Sequence, residues 1–354
     1  MISYDLTQFG APLVRNEQPT PQPKGSEVLV RVLAAGVCHS DIHIRHGYYD
    51  VGNGKRLNMG DRGATLPLTM GHETAGEIIA AGPDAKDAQI GQRVVVYPWL
   101  GCGHCKVCAR GQENLCLAGR ALGVFAPGGY SDHIVVPHPR YLIDIGDMAP
   151  EQAAPCACSG LTMYSAIGKI DPAVLKDEHV VVFGAGGLGL MAVGLLKALG
   201  NKGAIVIEPD AAKRAAALKA GAAAAIDSAA PDAMQQAKAA AGGAIWAALD
   251  CVGTEQTVGS AMAMLTKGGQ LVQVGLFGGK IEISTPLMPI RALSYQGSYV
   301  GNLGQLRALI DLAKAGKLPP LPIETRPLDQ AEAALQDLED GKVVGRVMLQ
   351  PHAG

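Results

Sequence analysis

Four cysteines lie within fifteen residues of this 354-residue chain, and their spacing is typical of a metal site. Cys102, Cys105, Cys108 and Cys116 form the pattern C-x2-C-x2-C-x7-C. Four thiolates complete the tetrahedral coordination of Zn²⁺, so such an ion would hold a loop in place without taking part in chemistry. A pair of disulfides is the alternative, but nothing else in the sequence suggests an exported protein. We therefore predict a structural zinc lobe over about residues 97–118.

The other four cysteines, Cys38, Cys156, Cys158 and Cys251, include candidate donors for a different kind of metal site. Three of them lie in two polar stretches, residues 36–43 and 155–162, and Gly71-His72-Glu73 falls between these stretches. Two thiolates and one imidazole would leave the fourth position of a zinc ion open. The two thiolates would neutralise the ion and leave it a usable Lewis acid, which is what a catalytic metal needs.

A glycine-rich turn stands between a predicted strand and a predicted helix. Residues 179–183 form an apolar run typical of a strand that is buried on both faces. Gly184-Ala185-Gly186-Gly187-Leu188-Gly189 follows at once, and a helix-like apolar stretch continues to about residue 200. In this setting G-x-G-x-x-G predicts a dinucleotide site, because the glycines allow the tight turn, the approach of a pyrophosphate and close helix packing.

An acidic residue ends the next predicted strand. Residues 204–207 are apolar, and Glu208 follows them, nineteen residues after Gly189. A carboxylate at this point can accept hydrogen bonds from both hydroxyls of an adenosine ribose and would repel a 2′-phosphate, so it favours NAD over NADP. Lys213 and Arg214 lie nearby; they either belong to a solvated helix face or contribute to phosphate binding.

The remaining elements must bring these motifs together. Residues 247–250 and 270–275 predict further strands with helices between them, so residues 156–296 are expected to form a doubly wound parallel sheet of the Rossmann type. Residues 1–155 would form the other domain. A cleft between two such domains is the expected active site.

The C-terminal segment is predicted to return to the first domain. Residues 297–354 contain a predicted helix over about residues 303–315 and a last strand near Val347. Residues 46–68, which lie between the polar stretch 36–43 and Gly71-His72-Glu73, contain several Gly, Asp and Asn residues. We expect a long loop there that shapes a pocket.

Composition limits the partners. The formal net charge is −2 and 48% of the residues are hydrophobic, which argues against nucleic acid and anionic membrane surfaces as partners. Residues 1–6 lack the basic and apolar regions of a signal peptide, and the longest apolar runs are too short to span a membrane. We expect a protein of a reducing compartment, the cytoplasm.

In family order, these motifs resemble the zinc-dependent alcohol dehydrogenases of the medium-chain dehydrogenase/reductase family. The resemblance covers both zinc motifs, Gly71-His72-Glu73, the glycine fingerprint and Val344-Gly345-Arg346-Val347. It implies an α/β protein in which a GroES-like, β-rich catalytic domain is interrupted by a Rossmann domain. It also implies reversible NAD- and zinc-dependent oxidation of a primary or secondary alcohol, two zinc ions per chain and a homotetramer.

The resemblance assigns roles around the catalytic metal. Its ligands would be Cys38, His72 and Cys158, and Cys158 is preferred to Cys156 because it directly precedes a small-Gly-x-Thr run. Asp41 matches an acid that orients the histidine. Glu73 is expected either as a transient fourth ligand or as a carboxylate behind the site.

Further positions match the proton relay, the cofactor contacts and the substrate pocket of the family. Ser40 and His43 match the relay, and the unperturbed histidine pKa of about 6.5 suits proton transfer near neutral pH. His39 lies where the family often has a basic residue near the pyrophosphate. The other expected cofactor residues are Thr162, Gly184, Gly186, Gly187, Leu188, Gly189, Glu208, Lys213, Val274, Ser298, Val300 and Arg346, and the expected pocket residues are Tyr49 and Trp99.

Alternatives remain open. Ser40 could be a helix cap, His39 a surface side chain and Arg346 a charge at the rim, and Tyr49 and Trp99 could serve ordinary loop packing. A polyol or glutathione-adduct dehydrogenase of the same family is the second functional hypothesis. The third is a non-catalytic zinc-storing or redox-sensing protein, which would not need a relay or an open metal position.

Overall fold

Strand pairing gives a large, mostly antiparallel sheet, a parallel sheet and two small antiparallel sheets, of which the three-stranded one has the strands Val14–Glu17 and Leu68–Thr69 at its edges. The structure is a computed structural model and describes residues 1–351, so the last three residues of the segment 297–354 lie outside the described part. In chain order the strands are β1 (Ile2–Leu6), β2 (Val14–Glu17), β3 (Val28–Val37), β4 (Tyr48–Asp50), β5 (Arg56–Asn58), β6 (Leu68–Thr69), β7 (Glu73–Ala81), β8 (Arg93–Val96), β9 (His133–Val136), β10 (Leu142–Asp144), β11 (Val180–Phe183), β12 (Ala204–Ile207), β13 (Ala224–Ile226), β14 (Ala247–Asp250), β15 (Gln270–Gln273), β16 (Ser294–Gly297), β17 (Ile323–Pro327) and β18 (Arg346–Gln350).

The helices lie mostly in the second half of the chain. They are α1 (His39–His46), α2 (Lys106–Ala109), α3 (Pro150–Ala153), α4 (Ser159–Ile167), α5 (Pro172–Asp177), α6 (Gly187–Ala198), α7 (Ala211–Ala220), α8 (Ala233–Ala240), α9 (Glu255–Met264), α10 (Leu287–Arg291), α11 (Leu303–Lys314) and α12 (Ala331–Glu339). Over residues 1–351, none of them combines the length and the apolar character that a membrane crossing requires.

The antiparallel sheet is centred on β3. Its strand order is β10-β8-β7-β3-β18-β17, and β9 also pairs with β3. The sequence of β3, VLVRVLAAGV, is almost entirely buried, as expected for a central strand. Because β18 pairs with β3, the last described strand completes a sheet that the first half of the chain begins.

The parallel sheet has the strand order β13-β12-β11-β14-β15-β16. This is the 3-2-1-4-5-6 order of dinucleotide-binding folds. The strands β11, β12 and β14 are fully buried apolar runs, since helices cover both faces of such a sheet. The predicted fold class, a β-rich unit combined with a doubly wound parallel sheet, is confirmed.

Part of the expected long loop is regular structure. Strands β4 and β5 form a hairpin in which Tyr49 lies opposite Leu57. The turn between them contains Gly52, Asn53 and Gly54, all with positive φ. Asp50 accepts a hydrogen bond of 2.8 Å from the Gly52 N–H, which fixes the entry into the turn. The expected long loop therefore contains a hairpin over residues 48–58, which the sequence did not predict.

Candidate active site

Cys38, His72 and Cys158 meet although they come from three separate segments. Cys38 precedes α1, His72 precedes β7 and Cys158 precedes α4. Their donor atoms lie within 4.8 Å of one another, and all three residues are buried. His72 Nε2 is buried without any hydrogen-bond partner in the described part of the chain, as expected for an atom that a metal would occupy. Two thiols and this imidazole nitrogen fit a zinc ion with an open position.

Asp41 orients the histidine of this site. Its Oδ1 lies 3.0 Å from Nδ1 of His72, so Nδ1 carries the proton and Nε2 is left for a metal. Its Oδ2 accepts hydrogen bonds of 2.9 Å from both the Cys38 N–H and the Tyr130 hydroxyl. Burial is the largest single influence and would lower the pKa of His72, but the charges and hydrogen bonds of Asp41 and Cys38 together outweigh it and hold this pKa well above its usual value.

Glu73 lies behind the three donors and does not point among them. One carboxylate oxygen pairs with the Arg346 guanidinium, and the other accepts a hydrogen bond of 3.1 Å from the Ser159 N–H. Burial raises the pKa of Glu73 to about 7, against the opposite effect of Arg346. A side chain at Gly36 would overlap the Glu73 carboxylate, so the packing requires glycine there. Of the two expected roles, this geometry favours the carboxylate behind the site.

The four-cysteine lobe has the dimensions of a zinc site. Cys105 Sγ lies 3.4 Å from Cys108 Sγ and 3.8 Å from Cys116 Sγ, and the Cys102–Cys108 separation is 4.0 Å. A tetrahedron with Zn–S bonds of 2.3 Å has edges of about 3.8 Å. All eight cysteines are free thiols, so the alternative of two disulfides does not apply.

Two contacts attach this lobe to the rest of the protein. The buried Glu113 carboxylate accepts hydrogen bonds from the Gly101 N–H (3.2 Å) and the Tyr141 hydroxyl (2.8 Å). Asn114 donates a hydrogen bond of 3.0 Å to the carbonyl oxygen of Tyr299. The lobe is thereby connected to the segment that follows β16.

A cavity of about 750 Å³ joins two of the three metal donors, Cys38 and Cys158, to the glycine-rich turn, and His72 lies buried behind them. Cys38 and Cys158 line it, together with every expected cofactor residue and with Ser40, His43, Tyr49 and Trp99. Four buried polar atoms on residues of its lining have no partner in the described chain. They are Thr162 Oγ1, Ser298 Oγ, Arg346 Nε and His43 Nε2. A polar ligand would satisfy such atoms, so the cavity fits a dinucleotide.

The glycine turn and Glu208 have the geometry that a nucleotide requires. Gly184 has φ +89°, and a side chain at Gly189 would overlap the backbone of Gly184. The turn leads into α6 with no side chain capping its first N–H groups. The Glu208 carboxylate accepts hydrogen bonds from the Ala185 N–H (2.7 Å) and the Asp210 N–H (3.0 Å), which hold it beside the turn.

The two basic residues after Glu208 lie in different places. Lys213 lines the cavity. Arg214 donates to the carbonyl oxygens of Glu208 and Pro209 and pairs with Asp227 at 3.2 Å, and it does not line the cavity. Of these two residues, only Lys213 lies where it could contact a nucleotide in the cavity.

The comparisons with known proteins agree with this geometry. Residues 24–147 match the alcohol dehydrogenase GroES-like domain, and residues 187–315 match the zinc-binding dehydrogenase family. An NAD-dependent alcohol dehydrogenase of Sulfurisphaera tokodaii is 38% identical, with 99% of this chain and 100% of that protein covered. A D-arabinose 1-dehydrogenase (NADP(+)) of Saccharolobus solfataricus is 32% identical over 98% of this chain and 96% of that one. The crystal structure of the alcohol dehydrogenase from Aeropyrum pernix superposes with a TM-score of 0.88 at 29% identity, covering 99% and 100% of the two chains.

The chain belongs to the zinc-dependent alcohol dehydrogenases of the medium-chain dehydrogenase/reductase family. The predicted family, the predicted class of enzyme and the predicted cofactors, NAD and zinc, are thereby confirmed.

In this dehydrogenase His43 is more buried than the sequence suggested. Burial, with a smaller contribution from the neighbouring His39, lowers its pKa to about 4. The expectation of an unperturbed pKa near 6.5 is therefore wrong, and the imidazole is neutral at pH 7. His43 also lines a second cavity of about 560 Å³, together with His46 and Lys55, so it stands between the main cavity and an outer one.

Three of the alternative roles do not match the structure. Cys38, not Ser40, precedes the first residue of α1, so Ser40 is not the helix cap. His39 is stacked on Phe277 with ring centres 4.2 Å apart. Arg346 is buried and paired with Glu73, so it is not a charge at the rim.

Aromatic side chains wall the cavity beside the metal donors. Trp99 lies 5.5 Å from the His72 ring, and its Nε1 donates a hydrogen bond of 3.0 Å to the Ala157 carbonyl oxygen. The rings of Tyr49 and His43 lie 4.8 Å apart. Tyr299 lies 5.9 Å from Trp99 and also lines the cavity.

Sequence reasoning missed three of the residues that shape this site. Tyr130 supports Asp41, Phe277 supports His39 and Tyr299 walls the cavity. Of these three residues, only Tyr299 could have been found from the sequence, because it lies between the two expected cofactor residues Ser298 and Val300. The other two are known only through contacts between distant segments.

Proposed function

We propose that this dehydrogenase oxidises an alcohol reversibly to an aldehyde or ketone, with NAD as the hydride acceptor. The observation that carries this proposal is the single cavity shared by the donors Cys38 and Cys158 and the glycine-rich turn. When bound, zinc supplies a Lewis acid that makes a hydroxyl group more acidic, and NAD supplies the acceptor for hydride.

The residues around the metal donors fix the geometry of the reaction. Asp41 keeps the proton of His72 on Nδ1, so that Nε2 faces the metal position together with Cys38 and Cys158. Glu73 and Arg346 neutralise each other directly behind this position. This pairing limits the net charge directly behind the metal position.

Ser40 and His43 move the proton of the alcohol. Both line the cavity, and the unpartnered Nε2 of His43 is available to accept a proton. Because its pKa is about 4, the imidazole is neutral and ready to accept at neutral pH. Its position beside the outer cavity supports release of the proton there.

The cofactor is oriented by the residues that line the cavity beyond the donors. Thr162, Ser298 and Arg346 offer polar atoms without partners, and the N–H groups that begin α6 offer an anion site. His39, Lys213, Val274 and Val300 complete this surface. Glu208 would accept hydrogen bonds from the ribose hydroxyls, which favours NAD.

A sugar or polyol is the second candidate substrate, because the similar protein of Saccharolobus solfataricus is a D-arabinose 1-dehydrogenase. Trp99, which lies against the donor residue His72, and the other cavity-lining residues Val124 and Val300 are apolar. An apolar wall offers few hydrogen bonds to a polyhydroxylated chain, so a simpler alcohol fits better.

We also propose the domain division 1–155, 156–296 and 297–354, a homotetramer and a cytoplasmic location. The domain division is supported by the pairing of β3 and β18 in one sheet, which joins residues 297–354 to the first domain. The exposed edge strand β16 and the exposed Leu287 and Ile290 support self-association. Eight free thiols support a reducing compartment.

The deciding experiment measures NADH formation with the purified enzyme across primary, secondary, cyclic and aromatic alcohols. Metal analysis on the same sample should find two zinc ions per chain. Zinc-loaded enzyme that binds NADH but oxidises no alcohol would contradict the proposal.

A further inference from the structure

Arg62 is an exposed residue that does not itself line the main cavity but lies against two aromatic side chains, one of which, Tyr49, does line it. Its Cζ is 6.0 Å from the centre of the Tyr49 ring and 5.7 Å from the centre of the Phe125 ring. Tyr49 lines the cavity, and so does Val124, the neighbour of Phe125. Cation–π contacts with two rings hold the guanidinium at this wall.

The positive charge of Arg62 is not neutralised by the protein. No carboxylate in residues 1–351 lies within ion-pair distance of it. The adjacent Asp61 accepts a hydrogen bond of 3.0 Å from Asn58 instead. The guanidinium is exposed, so a negatively charged group arriving from solvent can reach it.

A second arginine adds to the same region. Arg120 donates a hydrogen bond of 2.7 Å to the carbonyl oxygen of Phe125, and it has no carboxylate partner in the described residues either. Two unpaired cations therefore flank Phe125 in a chain whose formal net charge is −2. Such a local field attracts anions from solution.

The wall beside Arg62 also carries free polar groups. Burial raises the pKa of Tyr299, and the positive charge of Arg62 partly offsets this effect, which shows that the two groups are close. The hydroxyls of Tyr49 and Tyr299 make no hydrogen bond within residues 1–351. Nearer the metal donors, by contrast, the cavity is lined by Trp99 and by other apolar side chains.

We propose that the preferred substrates are alcohols with a carboxylate at the end remote from the hydroxyl, and that Arg62 recognises this carboxylate. This inference rests on the proposed alcohol oxidation. An ω-hydroxycarboxylate would place its hydroxyl at the metal donors, its methylene chain along Trp99 and its carboxylate at Arg62. The chemistry is unchanged: the alcohol and NAD⁺ give the aldehyde carboxylate, NADH and a proton.

The test compares kcat/KM for ω-hydroxycarboxylates and for 1-alkanols of equal chain length, with each wild-type and variant enzyme loaded with zinc. We expect the wild-type enzyme to prefer the hydroxycarboxylate, and Arg62→Gln to reduce the preference about tenfold, the effect of losing one partly screened charge-assisted contact. Arg120→Gln should reduce it less. Arg15→Gln removes the same charge from the exposed strand β2 and is the matched control.

Ionic strength gives an independent measurement. Added salt should lower kcat/KM for the hydroxycarboxylate but not for the alkanol, because only the charged substrate is steered by the arginines. NADH affinity, measured by fluorescence, should be the same in all variants. An unchanged affinity would show that the variants are folded.

The outcomes separate the two proposals. Oxidation of alkanols with no preference for the hydroxycarboxylate, or a preference that survives in the double variant of Arg62 and Arg120, would overturn this inference alone. Oxidation of neither class would overturn the proposed function and this inference with it.

Discussion

Asn114 of the four-cysteine lobe donates a hydrogen bond of 3.0 Å to the carbonyl oxygen of Tyr299, 185 positions further along the chain. The next residue, Val300, lines the cavity with φ +40°, a strained conformation for a β-branched side chain. On its other side, the Tyr97 hydroxyl donates a hydrogen bond of 3.0 Å to the Gly301 carbonyl oxygen. Val300 is thus held from both sides.

We therefore expect Asn114→Ala to weaken NADH binding without loss of zinc. The substitution removes one hydrogen bond, which contributes about 1 kcal/mol, and so lets the strained segment relax. A loss of this size raises the dissociation constant of NADH roughly fivefold. Fluorescence titration with NADH checks the affinity, and metal analysis checks the zinc. Asn16→Ala, which removes an amide from the edge strand β2, should change neither quantity.

Cys38→Ala should leave one zinc ion per chain and abolish alcohol oxidation, because only two donors of the buried group remain. NADH should still bind, since the glycine turn is untouched. The buried thiol Cys156 is the matched control, and Cys156→Ala should keep both zinc ions. Retained turnover in Cys38→Ala would remove this cysteine from the mechanism.

Cys105→Ala should act on stability, because the lobe then loses one of its four donors. We expect a fall in Tm of roughly 5–10 °C, as for a loss of a few kcal/mol in a chain of this size. Differential scanning calorimetry checks this. An unchanged Tm would mean that the lobe is stable without its metal.

Glu208→Ser should reduce the ratio of kcat/KM for NAD to that for NADP at least tenfold. The variant loses the acceptor for the ribose hydroxyls and the charge that repels a 2′-phosphate, while Lys213 remains in the cavity. Initial rates with both cofactors give the ratio. A ratio equal to that of the wild-type enzyme would assign the preference to other residues.

His43→Gln should slow alcohol oxidation about a hundredfold at pH 7, at the weak end of the range for proton-transfer groups. Burial lowers the pKa of His43 to about 4, so the histidine accepts protons throughout the neutral range and loses this ability only as the pH falls toward 4. The wild-type profile should show no step near pH 6.5 from this residue. The rate of the variant should recover at high pH, where solvent accepts the proton.

Two controls belong to this experiment. His138→Gln removes an exposed imidazole and should leave the pH profile unchanged. A variant His43→Gln with the wild-type rate at every pH would show that the proton leaves by another route.

The four cysteines of the lobe and the glycine turn were predictable because short-range spacing encodes them, whereas Cys38, His72 and Cys158 were assigned through the family resemblance. The four cysteines of the lobe lie within fifteen residues, and Cys108 lies in the single turn of α2, which begins directly after Cys105. Glycine at residues 184 and 189 follows from local backbone geometry. The continuous apolar runs of β11, β12 and β14 predicted a parallel sheet for the same local reason.

The supporting contacts were not predictable because they join distant segments. Tyr130 reaches Asp41 across 89 positions, and Asn114 reaches Tyr299 across 185. The pKa of His43 depends on burial by β4 and by the segment that contains Phe277, which no spacing rule supplies. The hairpin at residues 48–58 was missed because its turn glycines also suit an irregular loop.

The pairing of β18 with β3 and the position of Arg346 set an order of events during synthesis. The parallel sheet, complete by residue 297, can form while the ribosome is still translating the remainder of the chain. Glu73, by contrast, has no cationic partner until Arg346 has been synthesised. A chain that ended before residue 346 would keep the glycine turn but would lack one cofactor residue and would leave the carboxylate behind the metal donors without its cation.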